Sequence, residues 1–343
     1  MTDPLRSDSH QSALNAPLDL GRRRMLHALG AASLASTLGW LPRSVRAAAS
    51  NNVIEGRNRW LYAGWESLTD DATSQCLKAL DLVHLATQKM EARGIRCVMV
   101  IAPLKACTAA ANLPDGTTLS AGVQNRYAAL REHGHAIGLP ILDGAAAIST
   151  LVTGQNAYLR ADYHWTAHTA EAFATRAAAR LIKVGVTKGA PGEGSKLGAW
   201  NTEVHYGDLA ELLPPDRKKA IGKDHFVVRA VVPEAALLDS APPLVQVVGN
   251  SMVQPYLGFP QKLSNLLERQ VGLTWTFGDT GPWKTLLNYL EGPGFAAHPP
   301  QALVWQFNEG QMMNLPSAAG QWDATSVMDD DAWLARVTKA IGA

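Results

Sequence analysis

The 343-residue sequence is short of several things, and each shortage narrows what the chain can be. No excess of one charge sign exists: 31 basic side chains meet 30 acidic ones, which argues against electrostatic capture of nucleic acid or of an anionic membrane surface. A neutral or weakly charged partner fits better. Long apolar runs are also missing. The stretch 26–41 is only mildly apolar, short for a bilayer span, and carries His27 near its start. Cysteine is scarce, with Cys76, Cys97 and Cys107 only, and an odd number leaves at least one thiol unpaired or paired between chains. Cys97 falls in an apolar run and reads as a small core residue, while Cys107 stays open to either partner. No internal repeat or low-complexity tract interrupts the chain.

What is present begins with an address. Gly21-Arg22-Arg23-Arg24 opens an Ala/Gly/Ser-rich segment that closes on the small residues Ala47-Ala48-Ala49. A basic start, an apolar middle and a small-residue end make a cleaved signal peptide over 1–49. Its adjacent arginines resemble a twin-arginine signal, a Sec signal being the alternative, and either implies an exported, periplasmic protein. The remaining 50–343 is sized for one large α/β domain.

Along that domain the pattern alternates. Residues 71–93 and 121–137 have helical spacing, and Cys97-Val98-Met99-Val100-Ile101-Ala102 is a continuous apolar run suited to a strand buried on both faces. A short strand is expected at 139–143. Thr166 is placed to cap an Ala-rich helix reaching about residue 182. From 184 to 224 the texture is rich in Gly, Pro and Lys without a period, which predicts an insertion over about 184–240, with an antiparallel strand at 225–232. Strands at 244–248, 273–277 and 302–307, separated by helices at 255–269 and about 284–290, complete a parallel, doubly covered sheet. Gly192-Glu193-Gly194-Ser195-Lys196 has the flavour of a phosphate loop but the wrong spacing and no preceding strand, and reads as a loop.

Two segments carry chemistry. Gly249-Asn250-Ser251 ends an apolar strand, and Asp162-Tyr163-His164-Trp165-Thr166 precedes a helix. They contain a hydroxyl, an imidazole and a carboxylate at loops where α/β folds place their reactive groups. Neutral His164 would take the Ser251 proton, Asp162 would orient the imidazole, and N–H groups of the helix after Ser251 would face an oxyanion. A metal reading ranks below this, since His168 is the next histidine one turn on and no cysteine pair has zinc spacing. Nor is a cofactor expected. Trp165 reads as a brace for the His164 loop, and His133, His135, His205, His225 and His298 show no partner pattern.

These motifs resemble the alginate O-acetyltransferases of the AlgX/AlgJ type, which carry an SGNH-hydrolase-like domain. Gly56-Arg57-Asn58-Arg59-Trp60-Leu61-Tyr62 is similar to the family's opening signature, Pro103-Leu104-Lys105 to its strand-end Pro-x-Lys, and Asp162-Tyr163-His164-Trp165-Thr166 to its Asp-Thr-His-Trp-Thr. Gly207-Asp208-Leu209 matches a Gly-Asp-Leu segment and Gly249-Asn250-Ser251 occupies the nucleophile motif. The resemblance implies Ser251 as nucleophile, His164 as base and Asp162 as orienting acid. It also offers Asn250, Gly281, Trp283, Tyr289 and Lys105 as oxyanion or substrate-pocket residues. Lys105 reads either as a surface lysine or as a contact to donor or sugar, and Tyr289 suits core packing as well. Gly278 and Gly281 suit a loop near the oxyanion or a simple turn. Trp305-Gln306 departs from the family's Trp-Glu, and Asn250 from its usual Asp or Thr. The chain ends soon after the last strand, so a C-terminal carbohydrate-binding module is not expected.

Two functions follow from one acyl-serine: transfer of acetyl to hydroxyls of an exopolysaccharide, alginate-like or cellulose-like, or hydrolysis of such esters. The resemblance favours transfer, with acetyl relayed by a membrane-bound O-acyltransferase. A non-catalytic scaffold is disfavoured because all three triad residue types are present.

Overall fold

A computed structural model describes residues 53–232 and 242–342. The segment read as a signal peptide lies outside the described residues. Among the described residues, no helix is long and apolar enough to cross a membrane.

Four parallel strands form the central sheet in the order β3 (Arg96–Ala102), β8 (Ala302–Asn308), β6 (Val245–Gly249) and β7 (Val271–Trp275). The apolar run of β3 is explained by its surroundings. Val98, Val100 and Ala102 enter one core with Val245, Val247 and Val304, while Cys97, Met99 and Ile101 enter another with Val248, Leu303 and Trp305. Side chains alternate across a strand, so only a run apolar at every position satisfies both faces.

Helices cover each face. On the first lie α3 (Ala167–Lys183), through Phe173, Ala174, Ala177 and Leu181, and α4 (Phe259–Leu267), through Phe259, Leu263 and Leu267. On the second lie α1 (Thr73–Ala92), α5 (Gly281–Leu290) and α6 (Asp330–Ala340), with α2 (Ala121–Ala136) packed beside α1. Ser120 caps α2 by accepting from the Val123 N–H, and Thr166 caps α3 by accepting from the Thr169 N–H. Two antiparallel pairs lie outside the main sheet: β1 (Val53–Glu55) with β2 (Leu61–Ala63), and β4 (Trp200–His205) with β5 (Asp224–Arg229).

Several expectations change. Residues 139–143 supply no strand but a single bridge, Ile141 against Met99 at the outer edge of β3. The helix expected over 255–269 is broken into a 3-10 turn at Pro255–Leu257 and then α4, because Gly258 takes a left-handed conformation (φ 84°) and Pro260 sits in the first helical turn. All three cysteines are free, with Cys76 and Cys97 buried.

Candidate active site

The carboxyl ends of the parallel strands converge on one edge of the domain, where loops are available for chemistry. β6 ends at Gly249, and Asn250 and Ser251 make the turn that follows. Asn250 Oδ1 accepts from the Met252 N–H at 2.8 Å, closing a short 3-10 turn that projects the partly exposed Ser251. The opposing loop runs from Tyr158 to Trp165, whose backbones pair in an antiparallel bridge, so Asp162 and His164 sit on a pinched hairpin. Trp165 locks the two loops together. Its indole N–H donates to the Met252 carbonyl at 2.8 Å, and its fully buried ring stacks on Phe259.

Three side chains meet across this junction. Ser251 Oγ lies 2.7 Å from His164 Nε2, and His164 Nδ1 lies 2.7 Å from Asp162 Oδ1. Asp162 is saturated by donors: its Oδ1 also accepts from the His164 N–H at 2.7 Å, and its Oδ2 from the Asp208 N–H at 2.8 Å. Burial alone would raise the Asp162 pKa, but the imidazole beside it and these hydrogen bonds outweigh burial and hold the carboxyl below the usual range. For His164, burial disfavours the imidazolium, yet Asp162 and then Asp208 raise its pKa above 6.5. The arrangement can therefore take a proton from Ser251 and stabilise the cation that results.

Asp208 is a residue whose role the sequence reading left unassigned. Its carboxylate stands 3.4 Å from His164 Nδ1, and burial followed by the Asp162 charge raises its own pKa. A β-carbon at the preceding Gly207 would come within 2.4 Å of the Ala161 carbonyl oxygen and 2.8 Å of Asp162 Cβ, so only glycine lets the segment approach this closely. The Gly-Asp-Leu resemblance was the available signal. Asp162, His164 and Asp208 are also near enough to share an ion. Any ion there would have to displace the His164–Asp162 contact, the very contact that fixes the imidazole toward Ser251.

The pocket candidates divide differently from the expectation. Asn250 is buried, its Oδ1 accepting from the Met252 N–H and its Nδ2 donating to Gln311 Oε1 (2.8 Å), so it shapes the nucleophile turn and keeps one Nδ2 hydrogen beyond these bonds. The expected ring of helix N–H donors is reduced, since the Met252 and Val253 N–H groups are both taken by Asn250. The Ser251 N–H has no partner among the described residues and, with the second Asn250 Nδ2 hydrogen, is available to an oxyanion.

Lys105 is no surface residue. It is 3 % exposed, and Nζ donates to the carbonyls of Leu61 (2.6 Å), Arg160 (3.0 Å) and Asp162 (2.8 Å) from beneath the catalytic loop. Burial pulls its pKa down to about 7 despite the attraction of Asp162. Lys105 thus supports the Asp162 backbone from within the fold, with all three Nζ hydrogens engaged by carbonyls. Trp283 is core, stacked edge-on against Trp305, Phe307 and Trp333 on the α5 face of the sheet. Tyr289 packs edge-on against Phe295 at the border of the same core. Gly281 has φ 75°, and a β-carbon there would meet the Trp322 ring at 2.7 Å, so its role is close packing. These three leave the list of pocket residues.

Behind Ser251 lies a neutral relay that the sequence reading did not anticipate. Gln306 Oε1 accepts from the Asn250 N–H at 3.1 Å, and its amide nitrogen donates to Asn308 Oδ1 at 2.9 Å. Gln311 Oε1 accepts from both Asn250 and the Asn308 N–H. An amide suits position 306, because it both accepts from the Asn250 N–H and donates to Asn308 Oδ1 without depending on a proton. Glu309 serves elsewhere, bonded to the buried Arg126 and to the Leu104 N–H.

A family profile described as the SGNH hydrolase-like domain of the acetyltransferase AlgX matches residues 53–309. A probable alginate O-acetylase AlgJ of Pseudomonas fluorescens is 28 % identical over 302 residues, spanning 84 % of this chain and 73 % of that protein. An alginate biosynthesis protein AlgX of Pseudomonas putida is 24 % identical over 277 residues, or 75 % of this chain and 56 % of that one. Among solved structures, the O-acetyltransferase domain of Pseudomonas putida AlgJ superposes with a TM-score of 0.70 at 25 % identity, covering 84 % of this chain and 99 % of that domain. Pseudomonas aeruginosa AlgX shares the fold, with a TM-score of 0.57 at 16 % identity over 83 % of this chain and 67 % of that one. The chain belongs to the family of SGNH hydrolase-like acetyltransferase domains that this profile describes.

Proposed function

We propose that the protein is a periplasmic O-acetyltransferase that carries acetyl on Ser251 to hydroxyls of an exopolysaccharide. The observation that carries this reading is the continuous relay from Ser251 Oγ through His164 to Asp162, both links 2.7 Å, in a family of acetyltransferase domains. The alginate O-acetylases among its relatives support a secreted polysaccharide as the acceptor.

The step sequence follows from the groups present. Ser251 Oγ attacks the carbonyl carbon of an acetyl ester while His164 Nε2 takes its proton, and the negative charge moves to the carbonyl oxygen beside the Ser251 N–H. Collapse breaks the bond to the donor oxygen, which leaves with the proton from His164. A sugar hydroxyl then attacks acetyl-Ser251, its proton passes to His164, and Ser251 departs as the hydroxyl it was. Asp162 keeps Nδ1 protonated throughout. Donor acetyl is supplied by a membrane-bound O-acyltransferase, and the basic, small-residue-ended start of the chain directs export by the twin-arginine route.

The test is incubation with an acetyl ester and glycan fragments, read by mass spectrometry of the oligosaccharides. Acetylated sugar supports transfer. Free acetate alone, with every glycan offered and the donor partner included, would establish the esterase instead.

A further inference from the structure

Tyr163 stands between the acid and the base of the triad, and its contacts tie it to both halves of the site. Its ring packs edge-on against the His164 imidazole, with centroids 6.2 Å apart and planes at 73°. Its hydroxyl donates to Glu66 Oε1 at 2.7 Å and accepts from Asn308 Nδ2 at 2.9 Å. Asn308 belongs to the amide relay behind Ser251, so that relay does not stop at the nucleophile loop. It crosses to the acid–base loop through this phenol and ends on Glu66, which is buried.

The direction of each bond in the chain follows from its ends. The Asn250 N–H can only donate, which turns Gln306 Oε1 toward it and Gln306 Nε2 toward Asn308 Oδ1. Asn308 then offers Nδ2 to Tyr163, whose oxygen accepts, and the single phenolic hydrogen is left for Glu66. A carboxyl group keeps an accepting oxygen whether ionised or protonated, so Glu66 closes the chain in either state. Burial, and then the Glu66 charge, hold the Tyr163 pKa far above the usual phenol range, so its hydrogen stays in place. Gly310 makes room for this end, since a β-carbon there would stand 3.0 Å from Glu66 Oε1. Without the phenolic oxygen, the buried Asn308 amide loses its acceptor and no longer holds Gln306 toward the Asn250 N–H.

We propose that Tyr163, with Glu66 as its terminal acceptor, is a positioning residue that fixes the Ser251 turn and the His164 ring relative to each other. This rests on the reading of Ser251 as the nucleophile. Labelling with a fluorophosphonate tests it: Ser251 Oγ displaces fluoride from phosphorus as His164 takes the proton, with neither acetyl donor nor sugar needed. Tyr163→Phe keeps the ring and should lower the maximal labelling rate about tenfold, while the half-saturating reagent concentration stays unchanged. Glu66→Leu should match it. Glu66→Gln, whose carbonyl still accepts from Tyr163, should recover most of that loss, and the Tyr163→Phe/Glu66→Leu pair should be no slower than either alone. Thermal unfolding checks each fold, and Tyr163→Phe against wild type decides if Glu66→Leu does not fold. Labelling unchanged in Tyr163→Phe, or losses that multiply in the pair, would overturn the proposal. A wild-type chain that takes no label at Ser251 would remove the nucleophile and the proposal together. Labelling that follows the expected pattern in a chain that acetylates no sugar would count against the proposed function alone.

Discussion

The two loops that meet at the Ser251–His164 contact are built from opposite materials. The nucleophile turn rests on neutral amides: Asn250, Gln306, Asn308 and Gln311 exchange hydrogen bonds with one another and with its backbone. The acid–base loop rests on charges, with Lys105 beneath Asp162, Asp208 beside His164, and Asp224 Oδ2 accepting from the Ala161 N–H at 2.9 Å. An amide relay holds its geometry at any pH, while a charged one changes as its members titrate. Ser251 is thereby positioned independently of pH, and the pH response of the site is assigned to the loop that has to move protons.

The largest effects come from breaking the contact between the halves. Ser251→Ala and His164→Ala are each expected to lower acetyl-enzyme formation by roughly 10⁴-fold or more while circular dichroism stays unchanged. Next comes the charged support. Lys105→Met leaves the buried carbonyls of Leu61, Arg160 and Asp162 without their donor, which should lower stability by about 3 kcal/mol in denaturant titrations. The cation also lies 5.1 Å over the Trp60 ring, a contact the thioether cannot replace. Gln306→Glu probes the neutral half. It faces a carboxylate toward Asn308 Oδ1, should cost about 1–3 kcal/mol, and should give the nucleophile turn a pH dependence that the amide relay lacks, read as a change in the pH–rate profile.

How much of this was legible before folding differs between the same two regions. β3 announces itself, since Cys97 to Ala102 is apolar at every position as a strand buried on both faces requires, β8 does so over Ala302 to Trp305, and the capping hydroxyls of Ser120 and Thr166 mark where helices begin. That Ser251, His164 and Asp162 would come together was legible because their types and loop positions suit a proton relay. Lys105 was not, because nothing local distinguishes a lysine that turns inward to three carbonyls from one that reaches into water. Asp208 lies in a segment without period, and its role depends on Gly207 approaching Ala161 across a long sequence distance. Trp283 and Tyr289 looked like pocket residues only by position along the chain; which face of α5 meets the sheet decides otherwise. The amide relay joins residues 250, 306, 308 and 311, a proximity created by β6 and β8 lying side by side.

The smallest expected effect sharpens the comparison most finely. Acetyl-enzyme formation requires neutral His164, so its rate should rise with pH, with a midpoint above 6.5 because Asp162 and Asp208 favour the imidazolium. Asp208→Asn removes one of those charges, lowers the His164 pKa, and should move the rising limb toward acid by about one pH unit. A limb that stays in place would remove Asp208 from the electrostatics of the base.

The central claim, that acetyl is carried on Ser251 with His164 as base, is tested most directly by intact-protein and peptide mass spectrometry after brief exposure to an activated acetyl ester. A single acetyl group on the peptide containing Ser251, absent from the Ser251→Ala and His164→Ala proteins, is the predicted result. An acetyl group at the site that survives Ser251→Ala, or a wild-type chain that is never acetylated at any pH, would contradict it.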